Sequence, residues 1–381
     1  MIKYCVKCFL PSTKPDLYFD VDGLCGACLA FNERKLIDWD HRRNEFKTLL
    51  NDVKATTDSL WDCLIPVSGG KDSTFQVLKM LKLGANPLCV TSTTCDLTPI
   101  GRENIENIKK LGVDLIEFSP NPKVRKVLNK IALEQVGDIA WPEHVGIFTI
   151  PVMVAVKFKI RLIVWGENSQ NEYGGPPLSQ KSNELNRNWL EEFGGLLGLR
   201  VSDFLGTYGL SMNDLGPYIY PSSEQISKIG LQGVFLGHYF PWDGLNNYLL
   251  STAYGFTSYG KAIEGSGVSY ENLDNYQHGI HDYFKFLKFG FGRTTDLIST
   301  HIRRDRITRA DGLEIIKKLD GKYPDSYLGK SLKEILSHIN INLDDFDKIC
   351  DKFTNRQLFL TDSKGELLRE GKSLIKINYD N

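Results

Sequence analysis

A strand-turn-helix pattern over residues 64–83 constrains the fold of this chain more than any other feature. The apolar run at 64–67 predicts a strand that is buried on both faces. Residues 74–83 place apolar side chains near helical spacing. Between them, Gly69 and Gly70 allow a sharp turn whose backbone can approach a ligand closely. The free N–H groups of the turn and of the helix N-terminus then converge, which predicts an anion-binding site.

The side chains of this turn add polar groups to the anion site. Ser68 and Ser73 supply hydroxyls, Lys71 supplies a positive charge, and Asp72 supplies a carboxylate that can hold Mg²⁺. The spacing is not that of a Walker A loop, which requires Gly-x-x-x-x-Gly-Lys-Ser/Thr. Ser-Gly-Gly-Lys-Asp-Ser instead resembles the pyrophosphate loop (PP-loop) of the ATP pyrophosphatases, the superfamily of asparagine synthetase and the tRNA thiolases. The alternative is a glycine-rich turn without a ligand.

The charge balance and the hydropathy of the sequence limit the classes of partner that the protein is expected to bind. Charge is nearly balanced over the 381 residues, with 46 basic and 47 acidic side chains, so no general attraction to nucleic acid is expected. No stretch of about 18 uncharged apolar residues occurs, and the first five residues do not begin a signal peptide. We therefore expect a cytoplasmic protein that binds neither nucleic acid nor membrane.

Two Cys-x-x-Cys pairs near the start predict a metal site. Sixteen residues separate the first pair, Cys5 and Cys8, from the second, Cys25 and Cys28. This spacing is typical of a structural zinc site with four thiolate ligands, in which every coordination position is filled by protein. A redox pair or a set of buried thiols is the alternative. Residues 29–55 then predict one charged connecting helix.

Strands that alternate with helices after the turn predict a parallel sheet covered on both faces. Predicted strands lie at 87–92, 113–118 and 161–165, and predicted helices near 122–136 and 145–158. Ligands of such sheets bind beyond the carboxyl ends of the strands. The candidates at that edge are Thr91, Asp96, Gly166, Glu167 and Asn168. For Asp96, the alternative of a turn residue with no role in the site is equally well supported.

Three regions are expected. They are a zinc-binding segment with its connecting helix (1–55), an α/β PP-loop domain of the HUP-like kind (56–260) and a small helical region that contributes to the substrate site (261–381). In the third region, Thr308 and Asn342 stand where helix N-caps are expected.

Aromatic and basic residues downstream form a further group of candidates. His238 and Trp242 follow a predicted strand, and Lys288, Arg293 and Arg303 lie among aromatic residues and glycines. Such a mixture can bind a nucleotide, but it also fits a solvated helix face. His238 fits a packed histidine as well as a site residue.

In this order and spacing, the motifs resemble one family over nearly the whole chain, the N-acetyl sugar amidotransferases of bacterial surface-polysaccharide and nonulosonic-acid biosynthesis. The resemblance rests on the paired Cys-x-x-Cys, the PP-loop, Ile-Val-Trp-Gly-Glu-Asn at 163–168, Glu-Tyr-Gly-Gly at 172–175, and Lys-Phe-Gly-Phe-Gly-Arg at 288–293 with Arg303 and Arg309. It implies that the acetamido group of a nucleotide-linked sugar becomes an acetamidino group. ATP would adenylate the amide oxygen, and ammonia would then displace AMP.

The resemblance also implies roles for the candidate residues, with ATP, Mg²⁺ and structural zinc as cofactors. Residues assigned to ATP are Ser68, Gly69, Gly70, Lys71, Asp72, Ser73, Thr91, Asp96 and Gly166, with Asp72 also holding Mg²⁺. Catalytic candidates are Lys71, Asp72, Glu167, Asn168 and Glu172. Substrate-binding candidates are Tyr173, His238, Trp242, Lys288, Arg293 and Arg303.

The source of ammonia is expected to be another protein. No cysteine outside the two Cys-x-x-Cys pairs has the sequence surroundings of a glutaminase nucleophile. The family resemblance therefore implies a separate glutaminase with a companion subunit similar to the histidine-pathway cyclase. Two alternatives stay open at this point: a PP-loop tRNA thiolase that adenylates a base, and a non-catalytic scaffold that only binds nucleotide.

Overall fold

A computed structural model describes residues 2–181, 184–185 and 195–377 of the chain. Met1 and residues 182–183, 186–194 and 378–381 lie outside the described residues, so each of the three regions expected from the sequence is described in part. Their boundaries after residues 55 and 260 stay a prediction.

Five parallel strands form the central sheet, as the sequence predicts. The strands are β1 (Cys63–Pro66), β2 (Pro87–Ser92), β3 (Asp114–Phe118), β4 (Leu162–Trp165) and β5 (Gln232–Phe235). Their order across the sheet is β3-β2-β1-β4-β5. Leu64 of β1 pairs with Leu88 on one side and Ile163 on the other. Because the strand order reverses between β1 and β4, a crevice for ligands is expected at their carboxyl ends.

Helices cover both faces of this sheet. The first eight are α1 (Gly26–Arg34), α2 (Trp39–Thr56), α3 (Lys71–Lys82), α4 (Pro99–Lys110), α5 (Pro122–Val136), α6 (Trp141–Phe158), α7 (Ser169–Tyr173) and α8 (Pro177–Lys181). Alternate residues of a strand face opposite sides of a sheet. Accordingly, Cys63 and Ile65 pack in one apolar core with Phe46, whereas Leu64 packs in a second core with Ile150. The predicted burial of β1 on both faces is confirmed.

The connecting segment contains two helices, so the prediction of one helix over 29–55 is wrong. α1 ends at Arg34, and α2 begins at Trp39 after a short turn. The Asp38 carboxylate accepts hydrogen bonds from the backbone N–H groups of Asp40 and His41, both 3.0 Å long. This N-cap satisfies donors of the first turn of α2 and fixes the second helix start.

The rest of the described chain is mainly helical, with two small antiparallel hairpins. Its α-helices are Met212–Leu215, Ser223–Ile229, Leu236–Tyr239, Gly244–Ala253, His278–Phe289, Arg293–Arg303, Arg309–Leu319, Leu332–Ser337 and Leu343–Phe353; short 3-10 helices are Val201–Phe204, Gly216–Tyr218 and Arg356–Leu358. The hairpins pair Ser326–Tyr327 with Lys330–Ser331, and Arg369–Glu370 with Ser373–Leu374. Phe284, Leu336 and Phe346 are buried in the core of this region, which confirms the predicted helical C-terminal part.

Across residues 2–181, 184–185 and 195–377, no helix combines the length and the apolar character that crossing a lipid bilayer requires.

Candidate active site

The predicted PP-loop joins β1 to α3, as the sequence pattern requires. Gly69 has φ of +81°, and an added Cβ there would lie 2.8 Å from the backbone nitrogen of Ile105. Both the backbone conformation and the lack of space therefore require glycine at this position. The Ser73 hydroxyl donates to the Gly70 carbonyl at 3.0 Å, which ties the turn to the first turn of α3.

The loop lines a cavity of about 480 Å³ at the carboxyl ends of the strands. This is where the reversal of strand order predicts a ligand. The predicted site residues that line it are Ser68, Gly69, Gly70, Lys71, Asp72, Ser73, Thr91, Gly166, Glu167 and Arg293. The structure therefore brings together the loop, the ends of β2 and β4, and one cation from the C-terminal part.

Lys71 and Arg293 face the same buried carboxylate, that of Glu271. The Lys71 ammonium lies 2.6 Å from Glu271 Oε1, and the Arg293 guanidinium forms an ion pair with Glu271 Oε2. Lys71 is 6 % exposed and Glu271 is 6 % exposed. Burial alone would raise the pKa of Glu271, but the two cations outweigh it and lower that pKa to about 2. Two cations therefore surround one anion at this site. The two cations are suited to bind a phosphate group in place of the Glu271 carboxylate.

Each carboxylate oxygen of Asp72 has a polar partner. One carboxylate oxygen lies 2.6 Å from the Lys71 ammonium, and the other accepts a hydrogen bond from the Asn247 amide at 2.8 Å. The Ser251 hydroxyl, one helical turn after Asn247, donates to the Lys71 carbonyl at 2.7 Å. Helix Gly244–Ala253 therefore fixes the start of α3 and the orientation of the Asp72 carboxylate.

Glu167 has an unusual protonation equilibrium. Burial and then the nearby negative charge of Asp72 raise the pKa of Glu167 to about 7. The Asp72 carboxylate is a suitable ligand for Mg²⁺, since a hard divalent cation prefers carboxylate oxygens. Asp72 therefore fits the metal that the PP-loop resemblance implies.

Several residues of the site were missed by the sequence analysis. They are Glu271 and Tyr270, which line the cavity, and Asn247 and Ser251, which support the loop. The Lys71 ammonium lies 5.8 Å from the centre of the Tyr270 ring. None of these residues belongs to a recognisable motif. A buried glutamate between two cations is visible only after the chain has folded.

The remaining sequence candidates do not line this cavity. Asn168 caps α7 and donates to the Ser179 carbonyl at 2.7 Å. Both carboxylate oxygens of Asp96 accept from the Lys330 ammonium at 2.8 Å. Tyr173 lies under the Arg293 guanidinium, 5.9 Å from ring centre to Cζ. These residues therefore border or support the site, and direct roles for them in binding stay predictions.

Three further candidates lie among protein groups. His238 contacts the Arg42 guanidinium, and the Trp242 ring packs against Phe75 with the ring centres 5.4 Å apart. Lys288 donates to the Val136 carbonyl at 3.3 Å. Their proposed contacts with substrate also stay predictions.

The four cysteines of the two Cys-x-x-Cys pairs form one buried cluster. Their sulfur atoms lie within 4.8 Å of one another, with Cys5–Cys28 at 3.7 Å and Cys8–Cys25 at 3.6 Å. A tetrahedron of sulfurs around zinc, with bonds of about 2.3 Å, has edges of about 3.8 Å. A disulfide would require about 2.05 Å. The cluster therefore has the dimensions of a four-thiolate zinc site.

Arg303 links this cluster to the rest of the molecule. Its guanidinium lies 3.7 Å from Cys8 Sγ and donates to the Glu172 carbonyl at 2.8 Å. The Glu172 carboxylate in turn forms an ion pair with Arg34 of α1. Through Tyr173, this chain of contacts reaches Arg293 at the cavity. Arg303 and Glu172 thus connect the cysteine cluster to the wall of the cavity.

Cys25→Ser is expected to release tightly bound zinc, because a three-thiolate site binds the ion more weakly and structural zinc contributes folding free energy directly. Metal analysis after dialysis against a chelator should give about one zinc per chain for the wild type and much less for the variant, with a lower melting temperature. Cys350→Ser, which changes a buried cysteine outside the cluster, should keep the zinc. Full retention in a variant lacking all four cluster cysteines would contradict the assignment.

Glu271→Gln is expected to lower the free energy of unfolding by about 3 kcal/mol, because two buried cations lose their shared anion. Urea denaturation would measure the loss. Glu106 provides a matched control, since it pairs with Arg102 and Lys109 at the surface, and Glu106→Gln should have a much smaller effect because water screens exposed ion pairs. Equal effects of the two substitutions would contradict the buried ion triad.

Comparison with known proteins identifies the part of the chain that supplies Glu271 and Arg293. Residues 253–372 match the family model "LPS biosynthesis protein WbpG-like, C-terminal domain". No curated protein matches the chain in sequence. Similar solved structures include a predicted subunit of tRNA methyltransferase from Methanocaldococcus jannaschii (15% identity, TM-score 0.29, 61% of this chain and 91% of that chain). NMN synthetase from Francisella tularensis is another (14% identity, TM-score 0.27, 57% of this chain and 94% of that chain).

Proposed function

We propose that this chain, whose residues 253–372 are WbpG-like, is an ATP-dependent amidotransferase. It converts the acetamido group of a nucleotide-linked N-acetyl sugar into an acetamidino group and releases AMP and pyrophosphate. A cytoplasmic location belongs to the proposal, because ATP and nucleotide sugars are made there.

One observation carries this proposal: the WbpG-like segment and the PP-loop line the same cavity. Glu271 and Arg293 belong to the segment, and the Lys71 ammonium lies 2.6 Å from Glu271. The part of the chain that resembles a polysaccharide-biosynthesis domain therefore lies directly against the predicted ATP phosphates. This supports a sugar substrate that reacts with ATP in the cavity.

The reaction requires activation of the amide. An acetamide carbonyl is a poor electrophile, and ammonia cannot expel oxide from it. Attack of the amide oxygen on the α-phosphorus of ATP forms an O–P bond and releases pyrophosphate. Ammonia then adds to the amide carbon, and AMP leaves with the former amide oxygen. The overall change replaces oxygen by NH, and no oxidant or reductant is needed.

Residues of the loop stabilise the charge that develops during this reaction. The N–H groups at Gly69 and Gly70 and the Ser68 and Ser73 hydroxyls bind the leaving pyrophosphate, and Lys71 neutralises it. When bound at Asp72, Mg²⁺ would supply further positive charge at the leaving group.

Glu167 is suited to accept a proton during amination. Its pKa of about 7 places it near the value at which a general base works best at neutral pH. It lines the cavity immediately after β4. We assign to its carboxylate the proton lost by the attacking ammonia.

A separate glutaminase, with a cyclase-like companion subunit, would supply the ammonia. Among the described residues, none of Cys63, Cys89, Cys95 and Cys350 lines the cavity. Burial raises the pKa of Cys89 and of Cys95 to about 12, so both are protonated, weakly nucleophilic thiols at neutral pH. The same facts argue against a tRNA thiolase, which would need a sulfur-carrying cysteine at the site.

A screen of nucleotide-linked N-acetyl sugars, with ATP and ammonium salt, tests the proposal. AMP formation should depend on one sugar or a small group of them. ADP in place of AMP, or AMP formation that depends on tRNA and a sulfur donor, would contradict it.

A further inference from the structure

A second cluster of metal-binding side chains lies beside the cavity, away from the PP-loop. Asp138, His144 and His281 each offer one ligand atom, and these atoms lie within 4.8 Å of one another. The three residues come from different elements: the turn after α5, helix α6, and helix His278–Phe289. His144 also lines the cavity.

The Asp138 carboxylate is the centre of this cluster. Its oxygen Oδ1 lies 2.7 Å from His281 Nδ1, and Oδ2 lies 3.6 Å from His144 Nδ1. The backbone N–H of Ala140 donates to Oδ1 at 2.9 Å, which fixes the carboxylate. Asp138 is 4 % exposed, and among the described residues its ion-pair partners are these two histidines. The nearby Lys288 donates instead to the Val136 carbonyl.

A purely structural histidine cluster does not account for this geometry. The separation of 3.6 Å between His144 Nδ1 and Asp138 is too long for a hydrogen bond. In the described part of the chain, His144 Nδ1 is buried, and its polar neighbours are the Asp138 carboxylate and the Gly195 backbone, neither in good hydrogen-bond geometry, although buried polar atoms are normally satisfied. A hydrogen bond between His281 and Asp138 therefore satisfies one ring and leaves the other nitrogen directed at a carboxylate.

A metal ion would satisfy all three side chains. Four-coordinate zinc with bonds of about 2.1 Å to nitrogen and oxygen places its ligands about 3.4 Å apart, between the two observed separations of 2.7 and 3.6 Å. Two imidazoles and one carboxylate suit a borderline transition-metal ion, and three protein ligands leave a position open. Binding would displace the proton that His281 shares with Asp138.

We infer that Asp138, His144 and His281 bind a divalent transition-metal ion such as Zn²⁺, with its open position directed to the cavity beside His144. This site is distinct from the four-cysteine cluster and from Asp72. The inference does not rest on the proposed reaction, because metal binding is measured without turnover.

Zinc titration of the full-length protein tests the inference. The protein is first dialysed against a chelator that is too weak to remove the cysteine-bound ion. The wild type should take up one further equivalent. His144→Ala should bind that equivalent at least about 100-fold more weakly, since even loss of a second-shell partner costs 10–100-fold. His278→Ala changes another histidine of the cavity wall, one that pairs with Asp274, and should bind zinc as the wild type does.

Cobalt absorption decides the question on the wild type alone, even if a variant fails to fold. In the protein that keeps its cysteine-bound zinc, one equivalent of Co²⁺ at nitrogen and oxygen ligands should add weak d–d bands without thiolate charge-transfer absorption. Saturation of the wild type without a further equivalent would overturn the inference. Equal affinity of the wild type and His144→Ala for that equivalent would overturn it as well.

Discussion

Asp72→Asn is expected to slow sugar-dependent AMP formation by about 10²–10³-fold or more, the range for removing one electrostatic contact in a transition state. Asparagine has nearly the same shape and keeps an acceptor for the Asn247 amide, which lies 2.8 Å away. It lacks the negative charge that faces Lys71 and that would hold Mg²⁺ at the leaving pyrophosphate. Steady-state assays of AMP at saturating ATP and sugar measure the effect.

Asp62→Asn is the control for this substitution. Asp62 lies at the opposite, amino end of β1 and accepts a hydrogen bond from the Asn86 backbone. Its replacement should leave the rate of AMP formation nearly unchanged. If Asp72→Asn retains the wild-type rate while the fold is intact, Asp72 does not take part in ATP cleavage.

The purified chain alone is expected to form amidino sugar with ATP and a high concentration of ammonium salt, but not with glutamine. The rate should rise with pH at fixed total ammonium, because free ammonia is the nucleophile. Addition of the partner glutaminase and its companion subunit should make glutamine effective. Mass spectrometry of the sugar and assays of glutamate provide the measurement.

The outcome separates the proposed function from its alternatives. A tRNA thiolase would not respond to ammonia and would require a sulfur donor. A non-catalytic scaffold would turn over neither substrate. Release of glutamate from glutamine by this chain alone would show that one of its own cysteines is a glutaminase nucleophile.

Local patterns in the sequence predicted the elements that are determined locally. The helix predicted near 122–136 is observed as Pro122–Val136, and the strand predicted at 113–118 as Asp114–Phe118. Thr308 and Asn342 both cap helices through their side chains, as predicted. In each case, neighbouring residues supply the periodicity or the hydrogen-bond partner. The turn at Asp38 carries the same kind of signal, an N-cap residue before a helix, which the prediction of one continuous helix does not use.

The site was predictable only where its residues follow a strand or form a motif. The PP-loop and Glu167 line the cavity because the parallel sheet brings the carboxyl ends of β1 and β4 to one edge. Glu271 reaches Lys71 from a part of the chain 200 residues away, and no local pattern encodes that contact. Asp96 pairs with Lys330 of a C-terminal hairpin for the same reason. Such contacts depend on how distant segments pack.

Transfer of an oxygen label tests the central claim most directly. The sugar substrate is prepared with a heavy oxygen isotope in its acetamide carbonyl and is incubated with the protein, ATP and ammonium salt. Adenylation of the amide oxygen predicts that the label appears in the phosphate of AMP and is absent from the amidino sugar and from pyrophosphate. Unlabelled AMP formed together with amidino sugar would contradict the proposed mechanism.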